Sequence, residues 1–184
     1  MPALLLLSRH ARAEWPERPV RLVVAFPAGS LTDVLARVLA EPLAKELGQP
    51  VIVDNRAGGN GVVGTQAVAQ AAPDGHTLVV ISTSAASINP HVMKRMPFEP
   101  VKDFAHVGAL AEAPYLFVVQ SSAPDADLRG FFDRVRQSRE GLTYSYGNAS
   151  SQIMTEVLAR AAGARLTGVP YRGGAEALTD VAAA

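Results

Sequence analysis

The sequence predicts an α/β protein of two lobes, each a mostly parallel sheet flanked by helices. Short β-branched apolar runs alternate with amphipathic segments along the chain, the pattern in which parallel strands are joined by helical crossovers. Two strand–turn–helix junctions stand far apart, one around Phe26–Asp33 and one around Pro170–Asp180. Proline-rich and then Ala-Pro interruptions at residues 97–114 separate two such stretches. They place residues 14–112 in the N-terminal part of a first lobe and 113–184 in a second, incomplete one.

The first strand is Val20–Ala25, apolar and β-branched. A turn through Pro27, Gly29 and Ser30 leads into a helix over Thr32–Leu47, with apolar residues at 34, 35, 38 and 39 forming its inner face and Gly48 stopping it. Pro42 removes an N–H from that helix and predicts a kink. Pro50–Asp54 is the next strand, Asn55–Gly61 a glycine-rich loop, and Val62–Ala72 a helix ending at the Pro73-Asp74-Gly75 turn. Thr77–Ile81 is a buried strand that opens into a loop over Ser82–Ser87, followed by an irregular, proline-punctuated stretch from Asn89 to Pro100. Val107–Leu110 and Tyr115–Val119 read as two strands. Leu128–Arg139 is an amphipathic helix with Phe131, Phe132 and Val135 inward and a solvated basic face. Leu142–Tyr146 is a strand, Ser150–Ala162 a helix closed by Gly163, and Leu166–Val169 a strand, with a last helix from about Gly174.

Composition narrows the function. With 48% apolar and 18% charged residues the chain is globular, and its 184 residues can bury a sizeable core. A formal charge of zero gives nothing that attracts nucleic acid or an anionic membrane at long range. Cysteine is absent, which removes disulfides, thiolate metal sites and cysteine nucleophiles. Leu4–Leu7 followed by Ala11-Arg12-Ala13 before Glu14 has the form of the tail of a signal peptide, so residues 1–13 are read as a truncated leader of an exported protein. The end at Val181–Ala184 has neither glycine cap nor basic last turn, and reads as a frame cut in mid-helix.

A strand that turns through Pro, Gly and Ser into a helix opening with Thr-Asp leaves backbone N–H groups free to meet an anion or carboxylate. The second junction, Tyr171-Arg172-Gly173-Gly174 before a helix, offers the same, and Leu-Thr-Asp-Val recurs at 31–34 and 178–181. The two junctions read as facing halves of one small-molecule site.

Further residues fall in an order specific to one family. They are Trp15-Pro16-Glu17-Arg18-Pro19-Val20-Arg21, the Phe-Pro-Ala-Gly-Ser-x-Thr-Asp junction, Gly48-Gln49-Pro50-Val51 with Val53-Asp54-Asn55-Arg56, Ala72–Leu78, Asn89-Pro90, Pro100–Phe104 and Val169–Gly173. Over residues 15–181 the chain resembles the periplasmic substrate-binding proteins of tripartite tricarboxylate transporters, the Bug (Bordetella uptake gene) family. The resemblance implies a type II periplasmic-binding-protein-like fold with its C-terminal part missing here. It implies a soluble periplasmic protein, expected to be monomeric, that closes on a small carboxylate and delivers it to membrane permease subunits. It implies no catalysis, cofactor or metal. It assigns one pincer of the site to Ser30, Leu31, Thr32 and Asp33 and the other to Gly173, Gly174 and Ala175, with Thr83, Ser84, Asn148 and Ser150 completing the pocket. The family often has Gly-Gly where this chain has Gly29-Ser30, and its chains run well past residue 184, so that strand edges are expected to be uncovered here.

Two other readings compete. Gly59-Asn60-Gly61-Val62-Val63-Gly64 is a literal GxGxxG after a strand, the mark of a dinucleotide-binding enzyme. Against it, Asn55–Gly58 intervene where a tight turn is needed, and Ser82–Ser84 stand where a ribose-binding acid belongs. A hydrolase lacks the GxSxG elbow, and His76, His91 and His106 sit where structural roles are expected, His106 opening a strand. Tyr144 and Tyr146, at strand spacing, belong to the core more readily than to a pocket.

Overall fold

The computed structural model describes residues 15–139 and 141–183; the expected leader and its expected cleavage point before Glu14 lie outside them. The chain forms the expected α/β fold with parallel sheets. β1 (Val20–Val24) is the centre of a three-stranded sheet, flanked by β2 (Val51–Asn55) and β3 (Thr77–Val80), all parallel. A central parallel strand is covered on both faces, and Val20, Leu22, Val23 and Val24 are accordingly buried. A second sheet pairs β4 (Leu142–Tyr146) with β5 (Leu166–Pro170), again parallel and in register Leu142 to Leu166.

α1 (Leu31–Leu47) starts at Ser30, whose Oγ accepts from the Asp33 N–H, and ends at Gly48 in the left-handed conformation. It is one continuous helix through Pro42. Its inner side differs from the expected one: Ala36 and Asp33 are buried, while Val34 and Val38 are half or more exposed. Successive residues lie 100° apart round a helix, so the rotation that turns the Asp33 carboxylate inward carries Val34 and Val38 out. Ala36 and Leu39 pack on Leu22, Val24, Val51, Val53, Leu78 and Val80. α2 (Val62–Ala69) approaches the Ala25 backbone at Gly64. A Cβ there would stand 2.8 Å from the Ala25 Cα and from the Arg56 carbonyl oxygen. Ala25 and Leu22 point to opposite faces of β1, so α2 covers the face that α1 leaves open.

Beyond β3 the expected loop is instead a wide helical turn over Ser84–Ile88 running into α3 (Asn89–Val92). Pro90 is tolerated in a first helical turn, where its missing N–H costs nothing. Residues 107–119 form no strand, contrary to the sequence reading, and His106 therefore opens none. Val107, Leu116 and Val118 are exposed. Their composition suits a pleated surface, but a ladder needs a second backbone to pair with, and none of the described residues supplies one. Phe117 alone is anchored, its ring centroid 5.1 Å from that of Phe131.

α4 (Leu128–Gln137) is capped by Asp127, which accepts from Gly130 N at 2.8 Å. Phe131, Phe132 and Val135 pack with Ala159 of α5 (Ala149–Ala161) and with Leu142 and Leu166 of the second sheet. Full burial of such side chains is worth about 1.5–3 kcal/mol each. The basic face of α4 is largely neutralised: Arg134 pairs with Asp125, and Arg136 with Asp133 and the Ala162 carbonyl. α6 (Gly174–Ala183) follows β5. Each sheet thus has its own hydrophobic cluster.

Candidate functional site

In open parallel sheets the carboxyl ends of the strands hold the ligand, and four such ends meet here. β1 feeds the turn into α1, β3 the turn at Ser84, β4 the turn into α5, and β5 the turn into α6. Two contacts join the two sheets at this end, and a third holds together the turns of the second sheet. The Ser84 and Ser150 hydroxyls lie 2.9 Å apart, and Ser150 N–H donates to Ser84 Oγ at 3.2 Å. Gly147 lies against the Gly173–Gly174 peptide, which a Cβ at 147 would strike. A Cβ at Gly173 would stand 3.7 Å from Pro27 Cγ, so the second turn faces the first with room for about one methyl group between them.

The first turn is held by charge. Asp33 reaches back to accept from Gly29 N at 2.8 Å, from Arg37 Nε at 3.0 Å and from Asn55 Nδ2 at 2.9 Å. Asn55 also donates to the Phe26 carbonyl, and Arg37 donates to Asn55 Oδ1. Ser30 and Asp33 together make a variant of the capping box. The Arg37 guanidinium, with the Gly29 and Asn55 donors, outweighs burial and holds the Asp33 carboxyl down at about 2. That carboxylate is fully engaged within the chain, so Asp33 bears on a ligand through the turn it shapes. What the turn leaves open are the Ser30 and Thr32 hydroxyls, 3.2 Å apart, and the Leu31 and Thr32 amides, which have no acceptor within α1. Leu31 projects its side chain outward, 57% exposed.

The second half is built from backbone. Tyr171 N–H donates to the Tyr146 carbonyl, fixing β5 to β4 at the turn. Gly173 is buried, Gly174 and Ala175 are exposed, and the first amides of α6 are free of helical acceptors. Asn148 caps α5, accepting from Ser151 N at 2.9 Å. Ser84 and Ser150 are buried and pair with each other, whereas Thr83 is exposed. The sequence-predicted residues are therefore brought together at one end of the molecule, with Asp33, Ser84, Asn148 and Ser150 holding the turns. Arg37 and Asn55 escaped the sequence reading, as did the close contact that Gly147, in an expected pocket loop, makes with Gly173. Arg37 was findable as the i+4 partner of an acid, whereas Asn55 becomes a partner only through the β1–β2 register that sets it beside Val24.

The other candidates find structural places. His76 is buried, its ring edge-on to Trp15. The Tyr144 hydroxyl donates to Glu156 at 2.6 Å, and burial and that bond hold the phenol above its ordinary value. In the GxGxxG segment Gly64 serves helix–strand contact, while Gly59 and Gly61 take positive φ in a turn well past the end of β2. Nothing in that arrangement supports a dinucleotide site. Among the described residues no group of three or more His, Cys, Asp or Glu side chains is placed to hold a metal ion, and no helix is long and apolar enough to cross a membrane.

Parallel sheets whose strand ends and helix N-termini gather at one end of the molecule are the architecture of the periplasmic-binding-protein fold. The chain belongs to the tripartite tricarboxylate transporter family receptor (TctC) family, which its residues 35–184 match. Protein BugT of Bordetella pertussis is 34% identical over 170 residues, spanning 91% of this chain and 52% of BugT. The solved structure of R. palustris Rpa4515 with adipate has a TM-score of 0.87 at 34% identity, covering 91% of this chain and 57% of that one. MatC (Rpa3494) from Rhodopseudomonas palustris, with bound malate, has a TM-score of 0.83 at 33% identity and the same coverage. The periplasmic binding protein BugD follows at 0.75 and 31%, covering 91% of this chain and 56% of that one. The chain spans about half the length of the curated relatives it matches.

Proposed function

We propose that this protein is a periplasmic receptor that captures a small carboxylate at the joined strand ends and passes it to the membrane permease of a tripartite transporter, catalysing nothing itself. The observation that carries this reading is the convergence of the free amides of α1 and α6 on one end of the molecule, where Gly173 faces Pro27. Helix N-termini favour negative charge. Hydrogen bonds to a charged group are worth roughly 1.5–3 kcal/mol each. Four to six of them, less the cost of closing two lobes, reach the roughly 8 kcal/mol of micromolar binding. Relatives solved with adipate and malate support a carboxylate as the ligand.

In this reading the lobes divide near residue 112, the protein works as a monomer, and export removes the segment before Glu14. A thermal-shift screen against mono-, di- and tricarboxylates tests the ligand class. Stabilisation by at least one of them is expected, and stabilisation by a nicotinamide dinucleotide while every acid fails would overturn the reading. Mass spectrometry of the protein exported with a complete leader tests the compartment: a mature chain starting at Glu14 is expected, and an uncleaved cytoplasmic product refutes it.

A further inference from the structure

The opposite end of the first sheet, at the amino ends of its strands, carries a cavity of its own. It measures about 530 Å³ and is lined by Trp15, Pro16, Glu46 and Leu47, well within the roughly 300–1,000 Å³ of small-molecule sites. α1 runs from one end to the other. Its first turn belongs to the proposed carboxylate site and its last, with Glu46 and Leu47, to this cavity, about 25 Å away for 17 residues at roughly 1.5 Å each. The two sites are therefore separate.

Three features of the wall favour a cation. The last turn of α1 leaves carbonyl groups without helical donors, and that end of the helix dipole is negative. Glu46 adds a carboxylate to the same turn. The cations closest to the cavity along the chain are engaged elsewhere, Lys45 with Glu41 at 3.2 Å and Arg18 with Asp74 at 2.8 Å. Among the described residues Glu46 makes no ion pair. The third feature is the Trp15 ring, whose electron-rich face attracts cations.

That ring is held before anything binds. Its indole N–H donates to the Asp74 carbonyl at 3.0 Å, its edge meets His76, and a Cβ at Gly75 would stand 3.0 Å from the indole nitrogen. Even so, 51% of Trp15 is left exposed. A fixed aromatic surface spares a ligand the cost of ordering it.

We infer that this cavity binds a guanidinium group, stacked on Trp15 and paired with Glu46. A guanidinium is planar, stacks on aromatic faces and offers two parallel N–H donors to one carboxylate, whereas an ammonium is a compact, strongly hydrated point charge. Pro16 and Leu47 supply apolar surface for the methylene stem of such a ligand. The same chemistry is carried by a free guanidino compound and by an arginine side chain of another protein. Binding here is independent of carboxylate capture.

Trp15 is the sole tryptophan of the chain, so its emission reads this cavity directly. The test is a fluorescence and calorimetric titration at low salt with the Nα-acetyl amides of arginine, lysine and citrulline. Each is titrated into the unaltered chain and into Glu46→Gln, which alters an exposed side chain and should leave the melting midpoint unchanged. The arginine amide is expected to give a saturable change in emission, the lysine amide to bind more weakly, and the uncharged citrulline amide to give none. Glu46→Gln should weaken the arginine amide about tenfold or more, as for a lost charged hydrogen bond. A Gly-Arg-Gly peptide blocked at both ends separates the two sources: affinity equal to that of the arginine amide assigns the site to free guanidino ligands, and tighter binding to a partner chain. No saturable binding of the arginine amide, equal binding of lysine or citrulline, or undiminished binding by Glu46→Gln would overturn the inference.

Discussion

The two turns that frame the site have similar shapes for different physical reasons. The turn after β1 is fixed by side chains: one buried carboxylate gathers Gly29, Arg37 and Asn55 around it. The turn after β5 is fixed by the absence of a side chain, with Gly147 pressed on the Gly173–Gly174 peptide. A charged network is sensitive to pH and to the removal of any partner. A glycine contact is indifferent to pH and intolerant of a single methyl group.

Gly147→Ala breaks the steric half and is expected to have the largest effect. Its Cβ cannot be accommodated without separating β4's turn from α6, and overpacking of this kind costs about 1–3 kcal/mol or more. The melting midpoint should fall and carboxylate affinity should collapse, as read by calorimetry. An unaffected alanine variant would mean that the turns do not need to touch. Asp33→Asn breaks the electrostatic half. It removes the charge that Arg37 and Asn55 answer, and should lower stability by about 2 kcal/mol in urea unfolding, with a smaller loss of affinity than at Gly147.

The same carboxylate sets a pH signature. Its folded value, about 2, lies below the ordinary 3.8, so its contribution is fully present above pH 4 and is lost as the pH falls from about 4 towards 2. The first turn should therefore loosen in acid while the glycine contact does not respond. Stability measured from pH 5 to pH 2 should lose on the order of 2 kcal/mol from this group, and Asp33→Asn should remove that part of the slope. A smaller coupling, about 1 kcal/mol, is expected between Ser84 and Ser150 in a double-mutant cycle, because each hydroxyl is the other's partner. Smallest is Ser30→Ala, about 0.5–1 kcal/mol, since the cap bond it removes is long at 3.4 Å.

How far each half was legible follows from the same contrast. The first junction is written locally: β-branched residues into a Pro-Gly turn, a Ser cap, an acid three residues later. Most helices and strands followed from such signals, to within a few residues. The role of Asp33 needed more, because Asn55 reaches it through strand register, and it rotates α1 so that apolar Val34 and Val38 face out against the periodicity. Residues 107–119 misled for the opposite reason. Strand composition is local, but a strand is completed by a partner's backbone. The wide turn at Ser84–Ile88 was missed because serines that favour caps and turns flank the two helix-favouring alanines, and packing of Ser84 and Ala85 decided its form. The closeness of Gly147 to Gly173 is purely tertiary; no spacing in the chain announces it.

The placement of Trp15 has a practical consequence. It is the sole tryptophan of the chain, and its indole N–H donates to the Asp74 carbonyl while its ring meets His76 edge-on, just before β3 begins. The site lies at the other end of the strands, about 15 Å away at roughly 3.3 Å per residue. Tryptophan emission therefore reports the first sheet, and the second sheet and the site are left to the tyrosines, Tyr144 and Tyr146 of β4 and Tyr171 after β5. A carboxylate titration followed by tryptophan emission alone is therefore expected to change little, and a tryptophan introduced near Tyr171 would place that fluorophore beside the site.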